Sequence, residues 1–271
     1  MPSPNEITPT QLNRLIGTPA APLLVDLRID EDFDDDPRFI PGSFRHAHTD
    51  LEALLPLCGS GSVVVYCQKG RKISQGAAAV LRNAGVKAEV LEGGQFAWRD
   101  AELPMISAAA FPQRDNQGRT VWVTRHRPKI DRIACPWLIR RFIDPRAQFL
   151  FVPPQDVALV AEKFAATPFD VEDVRFSHRE EMCSFDAFLA EFELSVSGLD
   201  TVATIVRGAD TNRHDLAPEA AGLLAFSVGL SRMYRNDLEQ LDAGMTFYDA
   251  LYRWARDAQD EGHDWPAASR S

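Results

Sequence analysis

A doubly wound parallel α/β sheet followed by a mostly helical α+β unit is the architecture this sequence predicts. Three observations carry it. Short β-branched runs alternate with amphipathic helical stretches through residue 106. A stretch containing Pro112 and the polar run Gln113 to Gly118 then interrupts the pattern. Beyond a strand at 121–124 the periodicity turns mainly helical. The expected division is therefore 1–106, a linker at 107–119, and 120–271.

Taken in order, Thr8 with Gln11 three residues on is a capping-box pattern. Leu12, Leu15 and Ile16 give a short helix ended at Gly17. Leu23 to Arg28 (LLVDLR) reads as a parallel strand with a polar end. The acidic run Asp30 to Asp36 is expected as a solvated loop. Ile40-Pro41-Gly42-Ser43 is turn chemistry leading into a short edge strand, and Leu51 to Leu57 form a helix closed by Gly59. Val63-Val64-Val65-Tyr66 has the unbroken apolar run of a central strand buried on both faces. It ends at Cys67, the loop Gln68-Lys69-Gly70-Arg71-Lys72 follows, and a helix runs from Ile73 to Asn83 with Gly85 closing it. Ala88 to Leu91 make the next strand, and Glu92-Gly93-Gly94 turn into a helix at Gln95.

The thiol of Cys67 is thus placed at the carboxyl end of a central strand, where α/β folds put their sites. Inward-pointing loop amides, a helix amino terminus and three cations within five residues all favour its thiolate. A cysteine phosphatase would need Arg six positions after the cysteine to close its phosphate cradle. Ile73 stands there, and Arg71 comes two residues too early.

In the second half, Val121 to Thr124 restart regular structure. Pro136 predicts a helix beginning there with Cys135 at its amino end, an arrangement that lowers a thiol pKa. Gln148 to Val152 read as a strand, and Asp156 to Ala166 as a helix with Val157, Val160 and Phe164 on its core face. Val174 to His178 are extended. Ser184 caps a helix that buries Phe185, Phe188, Leu189 and Phe192. Leu199 to Glu261 are mostly helical, with Met233, Tyr234, Phe247, Tyr248, Tyr252 and Trp254 expected in the core.

The chain has 271 residues and a net charge of −10, which argues against general affinity for nucleic acid or membranes. No apolar run approaches the length of a membrane span, and the amino terminus lacks a basic and then apolar leader, so a cytoplasmic protein is expected. Cys58, Cys67, Cys135 and Cys183 are scattered without a Cys-x-x-Cys pair, which suits individual thiols with individual roles. Charge is uneven. Residues 119–146 hold eight Arg or Lys against Asp131 and Asp144.

The order LLVDLR, IPGS, VVVYCQKGRKIS and VLEGGQFAW resembles a single-domain rhodanese over roughly residues 5–106. The resemblance implies a sulfurtransferase. Cys67 would take a sulfane sulfur from a small anionic donor such as thiosulfate. It would then pass that sulfur, as a persulfide, to cyanide or a thiol, with no cofactor required. Gln68, Lys69, Gly70, Arg71 and Lys72 would hold the persulfide and the donor, with Asp26 and Arg28 orienting the loop or simply pairing at the sheet edge. Arg38-Phe39 and Arg45-His46-Ala47 depart from the family pattern at the rim of the fold.

The stretches WVTRHRPKIDRIACPWLIRRFIDP, RFSHREEMCSFDAF, IVRGADT and LAPEAAGLLAFSVGLSRMY resemble the carboxyl-terminal domain of the ChrB chromate resistance family, over about 120–265. That implies a role in chromate handling, as a sensor or an accessory to resistance. The usual ChrB amino-terminal part is replaced here, which argues against direct DNA binding. From the residues themselves, Arg125, Arg127, Lys129, Arg132 and Arg140 suit an oxyanion such as chromate, or ordinary ion pairs. His178, Glu181 and Asp186 are metal candidates, the ion being unspecified, with a hydrogen-bonded structural His as the alternative. Asp210 is a further ligand or a cap, and Cys135 and Cys183 are candidates for a redox pair. Three functions follow: a sulfurtransferase tied to chromate stress, a chromate or metal sensor with a reactive-thiol module, and a thiol-dependent chromate reductase. The sequence leaves the oligomeric state open.

Overall fold

The computed structural model describes residues 5–262. The first half contains strands β1 (Glu6–Ile7), β2 (Leu23–Asp26), β3 (Arg38–Phe39), β4 (Ser43–Arg45), β5 (Ser62–Tyr66) and β6 (Lys87–Leu91). Between them lie helices α1 (Pro9–Leu15), α2 (Asp30–Asp34), α3 (Leu51–Cys58), α4 (Lys72–Asn83) and α5 (Gly94–Asp100). Five strands form an all-parallel sheet in the order β1-β6-β5-β2-β4, with β5 at its centre. This is the parallel α/β architecture the sequence predicts.

The valine run behaves as a strand covered on both faces should. Val63 and Val65 point into a core with Leu54, Ala77 and Leu81 of α3 and α4. Val64 and Tyr66 point the other way, into a core that continues into the second half. Thr8 caps α1 in a reciprocal box with Gln11, as its spacing predicts. The acidic run is not a loop. Asp30–Asp34 form the short helix α2, because Phe33 buries against Phe39 and the Arg28 guanidinium.

Residues 107–119 carry the end of β7 (Ile106–Ser107), which pairs antiparallel with β3, and one 3-10 turn at Ala108–Ala110. Phe111 then stacks edge-on against Phe39 on one side and Phe192 on the other.

The second half is mostly helical, with a small parallel sheet ordered β10-β8-β9 from β8 (Val121–Arg125), β9 (Gln148–Val152) and β10 (Thr167–Pro168). Its helices are α6 (Asp131–Leu138), α7 (Val157–Phe164), α8 (Ser184–Glu191), α9 (Leu199–Asp210), α10 (Glu219–Met233) and α11 (Asp237–Asp257). Helix α6 begins at Asp131, five residues before Pro136, and continues as a π turn over Ile139–Ile143. Cys135 is therefore inside the helix and fully buried, so the expected amino-terminal placement is corrected. Helix α8 is capped by Cys183 and not by Ser184, because Asp186 reaches back to accept from the Cys183 N–H. Phe164 is 62% exposed and Met233 74%, so neither joins the core as expected.

The two halves share one interior. Leu12, Ile16, Val64 and Tyr66 belong to the same cluster as Trp137, Phe142 and Tyr252. Gly17, at φ +81°, packs closely against the second half: a Cβ there would lie 2.2 Å from the Phe142 Cζ. Arg256 adds a hydrogen bond to the Arg14 carbonyl.

Candidate functional site

Cys67 follows the last residue of β5 and is 5% exposed. Its loop is shaped from behind. The first N–H groups of α5 take the loop carbonyls, Gln95 N–H donating to Cys67 O and Phe96 N–H to Gln68 O, each at 3.0 Å. Gly70 (φ +64°) and Gly94 (φ +63°) make this docking possible, since a Cβ on Gly70 would lie 2.6 Å from the Gly94 nitrogen. With its carbonyls turned onto α5, the loop can turn N–H groups toward the sulfur. The Sγ lies 3.3 Å from the Ser74 hydroxyl. Burial pushes the thiol up. Hydrogen bonds from the Ser74 side chain and from the backbone at Ser74, Arg71 and Lys69 outweigh it, and the net pKa falls below the ordinary cysteine value.

A groove of about 980 Å³ opens over this sulfur. Leu51, Ile73, Ala77 and Val80 give it an apolar wall, and Lys69, Arg71 and Lys72 give it a cationic rim. All three cations are exposed, and among the described residues none is held in an ion pair. Gln68 lines the groove as well, and Gly70 is buried behind it.

Asp26 and Arg28 do not touch the sulfur. They form a fully buried ion pair at 2.6 Å. Arg28 also donates to the carbonyls of Asp36 and Arg38, and Asp36 accepts from Gln95 at 2.6 Å. The pair thus bears on the loop through Asp36 and the amino end of α5. The guanidinium is desolvated, which lowers its pKa, yet the Asp26 hydrogen bond and charge leave it net raised. Cys58 differs from Cys67. Burial raises its pKa, and it donates to the Leu54 carbonyl inside α3.

A second constellation lies in the other half. His178 Nε2 is 3.1 Å from Asp210 Oδ2, 3.4 Å from Asp170 Oδ1 and 3.6 Å from Asp131 Oδ2. Four separate segments deliver these groups. Asp131 opens α6, Asp170 follows β10 at φ +51°, His178 lies in the stretch before α8, and Asp210 ends α9. The loop before Asp131 is pinned by Ser227, Gln240 and Tyr248, which bond Ile130 N–H, Pro128 O and Ile130 O. Burial, then the neighbouring Asp210 and Asp170 charges, push the Asp131 carboxyl well up. Hydrogen bonds to Asp170 and Asp210 raise His178 to about 10.

Among the sequence candidates, His178 is in this group, together with Asp210. Glu181 is an exposed turn residue outside it. Asp186 is occupied by Arg207 at 3.0 Å and by the Cys183 N–H. Asp131 and Asp170 were not picked out by sequence, since nothing local marks them. Of the cationic candidates, Arg125 and Arg132 both bind Asp170, at 3.0 and 3.2 Å. Arg140 pairs with Asp242, and Arg127 donates its backbone N–H to Asp237. Lys129 is exposed. Cys135 and Cys183 are both fully buried, the Cys183 charge bears on Cys135, and burial, then Asp131, pushes both thiols well up.

Residues 8–101 match the model of the rhodanese-like domain, so the first half is a rhodanese-like fold carrying Cys67 at its strand-end loop. Residues 122–255 match the model of the ChrB C-terminal domain, and the chain is a fusion of these two domain types. Protein ChrB of Cupriavidus metallidurans is 37% identical over 149 residues, covering 54% of this chain and 44% of that protein, so less than half the relative's length is matched. A thiosulfate sulfurtransferase structure from Pseudomonas aeruginosa is 27% identical, covering 39% of this chain and 20% of that one, with a TM-score of 0.34. A structure of unknown function from Rhodopseudomonas palustris, described as a possible tyrosine phosphatase, is 28% identical over 37% of this chain and 83% of its own, with a TM-score of 0.31. No helix among the described residues is long and apolar enough to cross a membrane.

Proposed function

We propose that this chain is a sulfurtransferase in which Cys67 carries sulfane sulfur as a persulfide. The observation behind this reading is the Cys67 thiol itself, held below its ordinary pKa by the Ser74 hydroxyl and loop amides at the floor of a cation-rimmed groove. The thiolate attacks the outer sulfur of a thiosulfate-like dianion. A sulfur–sulfur bond to Cys67 forms, the bond to the sulfonate sulfur breaks, and sulfite departs with the bonding pair. Lys69, Arg71 and Lys72 offset the charge that gathers on the leaving group. The loop amides then hold the persulfide anion until cyanide or a thiolate takes the outer sulfur, which restores the Cys67 thiolate. No net oxidant or cofactor is consumed.

Incubation of the full chain with thiosulfate and then cyanide tests this. Thiocyanate should form with the parent and not with Cys67→Ser. Absence of thiocyanate from a parent whose Cys67 still alkylates rejects the reading.

The likeness of the second half to the ChrB C-terminal domain supports a link between this chemistry and chromate, as sensor or resistance accessory. Chromate titration of the full chain, and growth on chromate with and without Cys67, test that link. Buried, protonated Cys135 and Cys183 give no support to chromate reduction through those thiols. The division at 107–119 is likewise our proposal.

A further inference from the structure

The group around His178 shares no residue with the lining of the Cys67 groove. We infer that Asp131, Asp170 and His178, with Asp210 at the edge, form a binding site for one divalent cation of the Mn²⁺, Fe²⁺ or Zn²⁺ class.

Spacing is the first reason. One ligand atom each from Asp131, Asp170 and His178 all lie within 4.8 Å of one another. The oxygens facing His178 Nε2 stand 3.1 to 3.6 Å away. Ligands held about 2.1 Å from a common ion are separated by about 3.0 to 3.4 Å, close to the distances from His178 Nε2 to these oxygens.

Asp131 supplies the second and independent reason. It is 0% exposed, and its Oδ1 has no hydrogen-bond partner. A buried carboxyl oxygen without a partner is costly, and native interiors rarely leave one so. The two arginines do not relieve it, because both are directed at Asp170 Oδ2.

The third reason is the surrounding support. Ser184 donates its N–H to Asp131 Oδ2 at 2.6 Å and its hydroxyl to Asp170 Oδ1 at 2.8 Å, while Arg125 and Arg132 hold the far oxygen of Asp170. These contacts fix both carboxylates in place before any ion arrives, as outer contacts do in metal sites. His178 is 39% exposed and leaves a path from solvent. Three carboxylates and one imidazole make an oxygen-rich set with one borderline nitrogen. No thiol belongs to the group, so a soft monovalent ion is disfavoured and a first-row divalent ion is favoured.

The competing reading is an ion-pair cluster centred on the imidazolium, holding no metal. The full-length chain, stripped with chelator, is titrated with Mn²⁺ followed by electron paramagnetic resonance, and with Zn²⁺ followed by calorimetry. The expected result is saturable binding of one ion per chain and an upward shift of the thermal transition that chelator reverses. Asp131→Asn and His178→Gln should each weaken binding by more than about tenfold. Glu181→Gln should bind like the parent, and so should Cys67→Ser, which separates this site from sulfur transfer. His178 is exposed, so His178→Gln remains informative if Asp131→Asn fails to fold. A cooperative thermal transition retained in each variant shows that the chain has folded. No saturable binding by the parent, or unchanged affinity in His178→Gln, overturns the site and leaves the ion-pair cluster.

Discussion

Gly94 lies directly behind Cys67: a Cβ built on Gly94 would stand 2.2 Å from the Cys67 carbonyl oxygen and 2.4 Å from the Gly70 nitrogen. Both atoms are backbone, so no side-chain rotation relieves the clash. Gly94→Ala should therefore push the loop off α5 and disorder the amide ring, lowering thiocyanate formation by about tenfold or more, as misplaced catalytic geometry does. Iodoacetamide labelling should show the Cys67 thiol titrating at higher pH in the variant. Parent-like rate and titration would show that the docking is not needed.

The pH dependence of labelling follows from the two buried thiols of the first half. Cys67 is lowered and Cys58 raised from the ordinary value. Cys67 should become reactive at a lower pH than a free thiol, and Cys58 only at a higher one, which mass spectrometry of the labelled peptides resolves. A lowered thiol favours the folded chain fully above its unfolded pKa, and that contribution is lost as pH falls through the folded value. Ser74→Ala removes the hydroxyl at 3.3 Å and should move the Cys67 midpoint upward.

Asp26→Asn leaves the Arg28 charge buried without its carboxylate. Breaking such a pair costs about 3 to 5 kcal/mol. The urea midpoint should fall accordingly, and sulfur transfer should weaken through Asp36 and Gln95. An unchanged midpoint would mean that the pair is dispensable.

The shared interior predicts that neither half is stable when cut free. Separation exposes Phe142 and Tyr252 on one side, and Leu12 and Ile16 on the other. Fragments 1–119 and 120–271 should each unfold at lower denaturant than the intact chain and regain stability when mixed. Two fragments as stable as the whole would contradict this. In the intact chain Phe142→Ala should cost about 3 to 5 kcal/mol.

The thiol loop was legible in the sequence because it is local. Strand, cysteine, glycine and helix follow one another, and Gly93-Gly94 lies only one strand further on. The His178 group was only half legible, because its members are separated by up to 79 residues and meet only through folding. His178 and Asp210 drew notice. Asp131 and Asp170 carry no local signal, and the nearer Glu181 and Asp186 drew it instead. Pro136 misled for a physical reason. Proline is best tolerated in a first turn, but α6 carries it in its second and then widens into a π turn. Phe164 followed the helical period yet faces solvent, since periodicity names a face without showing what covers it.

The depth of Cys67 has one further consequence. The residue is 5% exposed, and a second sulfur bonded to its Sγ would reach about 2 Å further outward. The inner atom would stay sheathed by backbone while the outer one stood in the open groove. Cargo would thus be handed over at the tip, and an electrophile or oxidant arriving from outside would meet the replaceable sulfur before the permanent one.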